Sequence, residues 1–347
     1  MSTAAVPTKP WAKSPQDRIL GIAFLIAAIV FSYFFVAATE MKGKLAYAFI
    51  FFIAYGVITS THSFIIRGPQ AAKDSLVSTL VALGAVATVT PIASILFTVV
   101  KNGAPGLHSG ILSNDMSMAA PTDTIENGGV LHAITGTLTM VVLALIMSVP
   151  LGILTALYLT EIKGKFAGPV RFLVQAMSGV PSIVAGLFVL SAVLYPITKS
   201  YSALMGALAL TILMIPTIAR TSEEVLLLIP SDLREAGTAL GGTQWRTVAM
   251  IVIPAARSGL MTAIILGIAR IAGETAPLLL LTGGGDKVNP NPFNGSVGSL
   301  PYYIWKGFNA GSTESLTRAW SGLLVLMILV LILFIAARAL SSRKMSK

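Results

Sequence analysis

Long apolar stretches, each nearly free of charge, alternate with short polar segments along this chain. They occupy 19–39, 45–66, 75–100, 130–160, 172–198, 200–219, 258–281 and 319–337. A helix needs about 20 mostly apolar residues to cross the hydrocarbon core of a bilayer, so the pattern predicts eight membrane-crossing helices. Strands of about ten alternating residues, the mark of a membrane β-barrel, are not seen. The 130–160 stretch is too long for one crossing. Residues 130–136 are therefore expected to be an entry segment on the outer side, with a kink at Pro150-Leu151-Gly152. The first 18 residues are polar, with Pro7, Pro10 and Pro15, and show no small-residue cleavage site before the first apolar run. That run is expected to be a retained helix and not a removed signal.

Basic residues between the runs orient them. With both termini placed in the cytoplasm, 16 of the 24 Lys and Arg fall in inside segments, 7 fall outside, and Arg270 is left within a span. This excess inside predicts cytoplasmic ends. Composition agrees with the membrane assignment. Apolar residues make up 55% of the chain, charged residues 11% against about 25% in a soluble domain, and mean hydropathy is +0.82. A soluble domain, a disordered chain and a disulfide scaffold are excluded. Cysteine is absent, which removes thiolate chemistry and Cys-ligated metals. The net charge of +10 implies no nucleic-acid partner, because the basic residues lie between apolar runs and form no nucleic-acid motif.

Two outside loops, 101–129 and 282–318, are rich in Gly, Pro, Asn, Ser and Thr and are expected to be irregular. Within the second, Leu300 to Phe308 carries Tyr302, Tyr303, Trp305 and Phe308. It predicts a short helix at the membrane interface, serving as an anchor or as a docking element. Gly283-Gly284-Gly285 lacks a following helix N-terminus and predicts a flexible turn, not a phosphate cradle. His62 lies among Thr and Ser near the end of the second run, and His108 and His132 are scattered, so no metal site is expected. No Gly-x-x-x-x-Gly-Lys-Ser/Thr sequence exists, and ATP binding must belong to another polypeptide.

The segment 220–257 is too long and too patterned for a connector. Asp232 with Glu235 predicts a capping box and a helix start after Pro230. The helix is expected to run through Leu240 and end at Gly241-Gly242, with a second helical piece from about 244 to Ile253-Pro254. Glu235-Ala236-Gly237, then Gly241, then Ile251 and Ile253-Pro254, resemble the cytoplasmic loop of bacterial ABC importer permeases at matching spacing. Gly237 stands where the family has a second Ala, which weakens the helix by about 1 kcal/mol. Ile253 stands where it has Leu.

The wider resemblance is to phosphate-specific permeases of the PstA type. It is carried by Arg220 to Glu224, Leu233 to Ala236, Ala269 to Leu279, and Met177 to Phe188 with Ser178, Pro181-Ser182 and Gly186-Leu187-Phe188. It covers roughly 130–340, and more loosely from 75. The resemblance implies an all-α polytopic bundle with the six-helix core of a type I ABC importer permease. Here that core spans 75–340, with 19–66 as two additional N-terminal helices and 1–18 and 341–347 as cytoplasmic tails. It implies a non-catalytic subunit of an ATP-driven phosphate importer in the bacterial plasma membrane. The implied partners are a second homologous permease, an ATPase dimer holding ATP and magnesium, an extracytoplasmic phosphate-binding protein and membrane lipid. Residues Asp232, Arg234, Glu235, Ala236, Gly237, Gly241, Ile251 and Pro254 would couple to the ATPase.

Arg270 and Glu274 lie within the seventh run, each costing about 2.5 kcal/mol or more if left alone at the bilayer centre. Four residues apart on one helix, they are expected to pair, either as a structural ion pair or as part of an anion path. An Arg fork fits two phosphate oxygens. The resemblance implicates both residues in translocation, and Arg220 as well, which is expected where the sixth span meets the cytoplasm. A permease for sulfate, molybdate or another small oxyanion is the alternative within this class. A channel or secondary transporter is the alternative outside it, and has no need of an ATPase-docking loop.

Overall fold

The computed structural model of the chain describes residues 15–39 and 41–342. The polar residues 1–14 and 343–347, which make up most of both tails, lie outside the described residues. The elements are α1 (Pro15–Ala38), α2 (Lys44–Arg67), α3 (Pro69–Gly103), α4 (Leu131–Leu157), α5 (Ala167–Ser178), α6 (Ser182–Val189), α7 (Ala203–Leu227), α8 (Ser231–Ala239), α9 (Gln244–Thr247), α10 (Ile253–Ile271), α11 (Ala276–Leu281), α12 (Leu300–Ala310) and α13 (Thr313–Ser342). Wider π-helical turns extend α4 through Tyr158–Ile162, extend α6 through Leu190–Thr198, and join α9 to α10 through Val248–Val252. Among the described residues the only strand-like pairing is an isolated bridge between Gly283 and Val297. The protein is an all-α polytopic bundle.

Among the described residues seven helices are long and apolar enough to cross a membrane, and a bent pair makes an eighth crossing if counted as one. The bent pair is the 172–198 run. It is no single helix: α5 and α6 meet at 105° across Gly179-Val180-Pro181. Pro181 has no N–H to give and pushes Val180 out of helical geometry, so the chain turns there. The 258–281 run is likewise not one crossing. Its helix starts far earlier, at Gln244, and stops at Ile271, with Ala276–Leu281 a separate short helix begun by Pro277. The π-helical turn directly before Ile253-Pro254 lets the helix pass a proline that donates no hydrogen bond. No separate entry segment exists at 130–136. Helix α4 begins at Leu131 and, with its π turn, runs 32 residues, or about 48 Å, with Pro150 inside it. It is longer than the hydrocarbon core and extends beyond it.

The chain forms two compact units, residues 1–97 and 98–347, and the division falls within α3. In the first, α1 and α2 pack together through Ala28, Ser32, Val36, Ala46 and Ile50, and the Phe24 ring meets His62 edge-on at 4.7 Å. Large apolar side chains such as Ile19, Phe34, Leu45 and Ile65 point outward, as lipid-facing residues do.

In the second unit α7 is the central helix. Two-thirds of its most apolar stretch is buried, the highest share of any crossing helix. Its Met214 and Ile218 are fully buried with Met140, Ala144, Ile268 and Ile271. Glycines set the approach of its neighbours. A Cβ on Gly152 of α4 would stand 2.7 Å from Ile218 Cγ2, one on Gly267 of α10 2.8 Å from Met214 Cε, and one on Gly259 would collide with Val225 Cγ1. Helices in lipid gain no hydrophobic drive from meeting each other, so close backbone approach at small residues is what holds them. Gly152→Val should cost about 1–3 kcal/mol by overpacking against the branched Ile218. A lower midpoint of thermal aggregation in detergent checks this, and an unchanged midpoint would contradict the contact.

Candidate substrate path and cytoplasmic docking loop

Helix α8 begins at Ser231 with Pro230 as its N-cap, and no side chain caps it. The expected capping box does not form. Asp232 sits inside the first turn, where the Ser231 hydroxyl meets its Oδ1 at 3.4 Å. Proline at the N-cap has no side-chain acceptor and so cannot form the box, and the exposed first N–H groups are left to water. The end of the helix is as the sequence predicts: Gly241 has φ +79°, and the Gly242 N–H returns to the Gly237 carbonyl at 3.1 Å.

The orientation of α8 divides the expected coupling residues. Asp232, Glu235 and Ala236 are exposed, as are Leu240 and Gly241, and Pro254 is exposed further along. Gly237 is buried. A Cβ there would lie 2.6 Å from Thr247 Cγ2 and 2.9 Å from Ile251 Cδ1, so α8 presses its backbone against the helix that follows. Glycine in place of the family's usual alanine is thus a packing requirement of this chain.

Arg234 turns inward. Its Nε and Nη2 donate to the Glu161 carboxylate at 3.1 and 2.8 Å, Nη1 donates to the Ile229 carbonyl at 2.7 Å, and Nη2 also donates to the Leu226 carbonyl at 2.9 Å. Arg234 is therefore tied to Glu161 and to the carbonyls of Leu226 and Ile229. Its partner Glu161, an acidic residue at the end of an apolar run, was not among the expected site residues. An open cleft of about 640 Å³ lies beside this pair, lined also by Lys163, Glu235, Thr238 and Gln244.

The charges expected along the path are placed differently from the sequence expectation. Arg270 is exposed on the last turn of α10, and Glu274 follows the turn Ala272-Gly273, outside the helix. The two do not share one helix, so the four-residue spacing that predicts pairing does not apply. Neither has an ion-pair partner among the described residues. Arg220 is exposed too, but α7 continues to Leu227, so Arg220 lies about two turns before the helix end and not at its boundary. Gly267 packs near Met214 and Ile218, and Gly259 near Val225, so α10 runs antiparallel to α7. In that register Arg220 and Arg270 are offset along the axis by about 10 Å. Glu223 is taken by Arg171 of α5 at 2.7 Å.

At the opposite end of the second unit the two long loops form one structure. Arg318, expected in a loop, is instead buried on α13 and donates to the carbonyls of Pro121, Thr124 and Asn127 at 2.7–3.0 Å. Lys306 pairs with Asp286 at 2.6 Å, and the Met116 N–H bonds the Asp286 carbonyl. Asp115 accepts from Ser117 and from the Val288 N–H; the Ser117 hydroxyl bond is the main cause holding its carboxyl below the usual carboxylate range. Burial pushes the Tyr303 phenol up to about 12. The expected interface helix is α12. The glycine run is not a flexible turn: Gly283 and Gly284 have φ of +66° and +57°, and a Cβ on Gly284 would collide with the Tyr302 ring.

Residues 148–346 match the family model of the binding-protein-dependent transport system inner membrane component. A phosphate transport system permease protein PstA 1 of Mycobacterium tuberculosis (strain CDC 1551 / Oshkosh) is 38% identical over 76% of this chain and 87% of that protein. The chain belongs to the PstA-type branch of that permease family. PstA of Mycobacterium leprae (strain TN) is 43% identical over 63% of this chain and 73% of its own length. PstA of Haemophilus influenzae (strain ATCC 51907 / DSM 11121 / KW20 / Rd) is 37% identical over 72% and 87%.

The packing of this permease at Gly237 carries a test with an unusual sign. Gly237→Ala, which restores the family's pattern and gains about 1 kcal/mol of helix propensity, should nonetheless loosen α8. Faster hydrogen exchange of the amides 233–240 is the expected outcome. Slower exchange would mean that propensity outweighs the contact with Thr247.

Proposed function

We propose that this permease is one half of the membrane path of an ATP-driven importer of inorganic phosphate. The supporting observation is the likeness to PstA proteins across most of their length, joined to an exposed α8 loop with the spacing of ATPase-docking loops. A separate ATPase dimer, carrying ATP and magnesium, would sit against Asp232, Glu235, Ala236 and Leu240. A second homologous permease would complete the path, and a phosphate-binding protein would deliver the anion at the end formed by α12 and the two long loops. Both termini then lie in the cytoplasm of a bacterial cell, with lipid around the bundle. The chain itself forms and breaks no covalent bond and holds no cofactor.

Arg270 and Arg220 are the residues proposed to meet the anion, with Glu274 beside the path. An unpaired guanidinium presents its whole fork to a phosphate dianion. Two of them, offset by about 10 Å along the helix axes, would let the anion move between sites without a single deep trap. A permease for sulfate or molybdate is the second reading, and competition decides between them.

The test is uptake of labelled inorganic phosphate into proteoliposomes holding the whole transporter, with ATP inside the cytoplasmic-face compartment and sulfate as competitor. ATP-dependent uptake that excess sulfate leaves unchanged is expected. Arg270→Gln should lower it by at least about tenfold with the complex assembled. Sulfate uptake in place of phosphate, or full activity of Arg270→Gln, would refute the assignment.

A further inference from the structure

We propose that the ion pair between Glu161 and Arg234 is the link by which movement of α8 reaches α4, which makes Glu161 a positioning residue for transport. The proposal rests on α8 being the ATPase-docking helix. It adds which bond carries the motion and which membrane helix receives it.

Glu161 has no local reason to be an anion where it stands. Its side chain is only 8% exposed, and it occupies the C-terminal end of a long helix, where unpaired carbonyls disfavour negative charge. A carboxylate held in such a place needs a cation, and the one it has comes from α8, 73 residues further along the chain. Glu161 also lies on the π-helical turn, whose extra residue rotates the side chains beyond it relative to the rest of α4 and marks the helix end as a departure from regular geometry.

The bonding leaves little slack. Arg234 spends its fork on three partners at once: the Glu161 carboxylate, the Leu226 carbonyl and the Ile229 carbonyl at the end of α7. The planar fork holds its three partners in one fixed arrangement, so a shift of α8 beyond what the Arg234 stem can absorb carries these groups or breaks the bonds to them. The other arm of the loop grips the same residue by its backbone: Gln244 Nε2 donates to the Glu161 carbonyl at 2.6 Å. Helices α8 and α9, joined through Gly241-Gly242, thus hold one residue of α4 by its side chain and its carbonyl together. The open cleft beside the pair leaves room for α8 to move. Helix α4, in turn, packs on the central helix α7 through Gly152 and Ile218.

The test uses the whole transporter in proteoliposomes with its binding protein and labelled inorganic phosphate. Two quantities are read: phosphate taken up per ATP hydrolysed, and the ATP-driven change in mobility of a nitroxide on a cysteine replacing Leu154 of α4. Glu161→Gln keeps the shape and one acceptor but removes the charge. The ATPase should stay bound and hydrolyse ATP, while uptake per ATP falls about tenfold and the Leu154 probe stops responding. Arg234→Lys keeps the charge but loses the fork and should move both readouts in the same direction, and Glu161→Asp should fall between it and the wild type. Unchanged ratio and probe response in Glu161→Gln would overturn the proposal. Loss of the ATPase from the Glu161→Gln complex would overturn it too, because the pair would then only fold the loop. A wild-type complex whose Leu154 probe responds to ATP but which imports no phosphate would refute the substrate assignment and leave the link standing.

Discussion

The second unit depends on how closely α7 is approached by its neighbours. Inside a bilayer there is no water to squeeze out between helices, so association rests on packing, and packing needs small residues where backbones cross. Gly152, Gly259 and Gly267 supply them on α4 and α10. The result is a helix buried along most of its length and held in register with both neighbours. That register places the carbonyls of Leu226 and Ile229 where Arg234 can reach them, and sets the axial offset between Arg220 and Arg270. At the other end of α7, the Ser202 hydroxyl caps the helix by accepting from the Met205 N–H.

Charged side chains do different work in different parts of the second unit. Arg318, Lys306, Asp286 and Asp115 tie the two long loops into one body at one end. Arg234, Glu161 and Gln244 tie the α8 loop to α4 and α7 at the other. Arg220, Arg270 and Glu274 make no such ties. Between the two ends Arg171 of α5 holds Glu223 of α7, three residues from Arg220.

Much of this was legible in the sequence, because long apolar runs and loop glycines are local signals. The polytopic helical pattern, predicted as eight crossings against seven long helices plus one bent pair, follows from composition and spacing alone, as do α12 and the turn at Gly241. The failures share a cause as well. Apolarity does not distinguish one helix from two, so the breaks at Gly179-Val180-Pro181 and Ala272-Gly273 went unseen, although Pro181 and Pro277 were visible markers. The i, i+4 rule was applied to Arg270 and Glu274 across one of those breaks. Side chains that act over long sequence separations carry no local signature. Nothing near Glu161 names Arg234, and Arg318 bonds only backbone carbonyls, which every residue has. Gly237 was read as a weakening of α8, when its lack of a Cβ is what lets α8 lie against Thr247.

If the α8 loop faces the cytoplasm and docks an ATPase, a single reporter on that loop should show both. The chain has no cysteine, so one placed at Leu240, which is 88% exposed, reports from that position alone. In intact cells expressing the whole transporter, this cysteine should resist a membrane-impermeant maleimide, while cysteines at Ser113 and Ser296 react. In inverted vesicles, a short bifunctional maleimide should join it to the ATPase subunit, with yield altered by ATP. Labelling at Leu240 from outside the cell, or a cross-link that never contains the ATPase, would contradict the account.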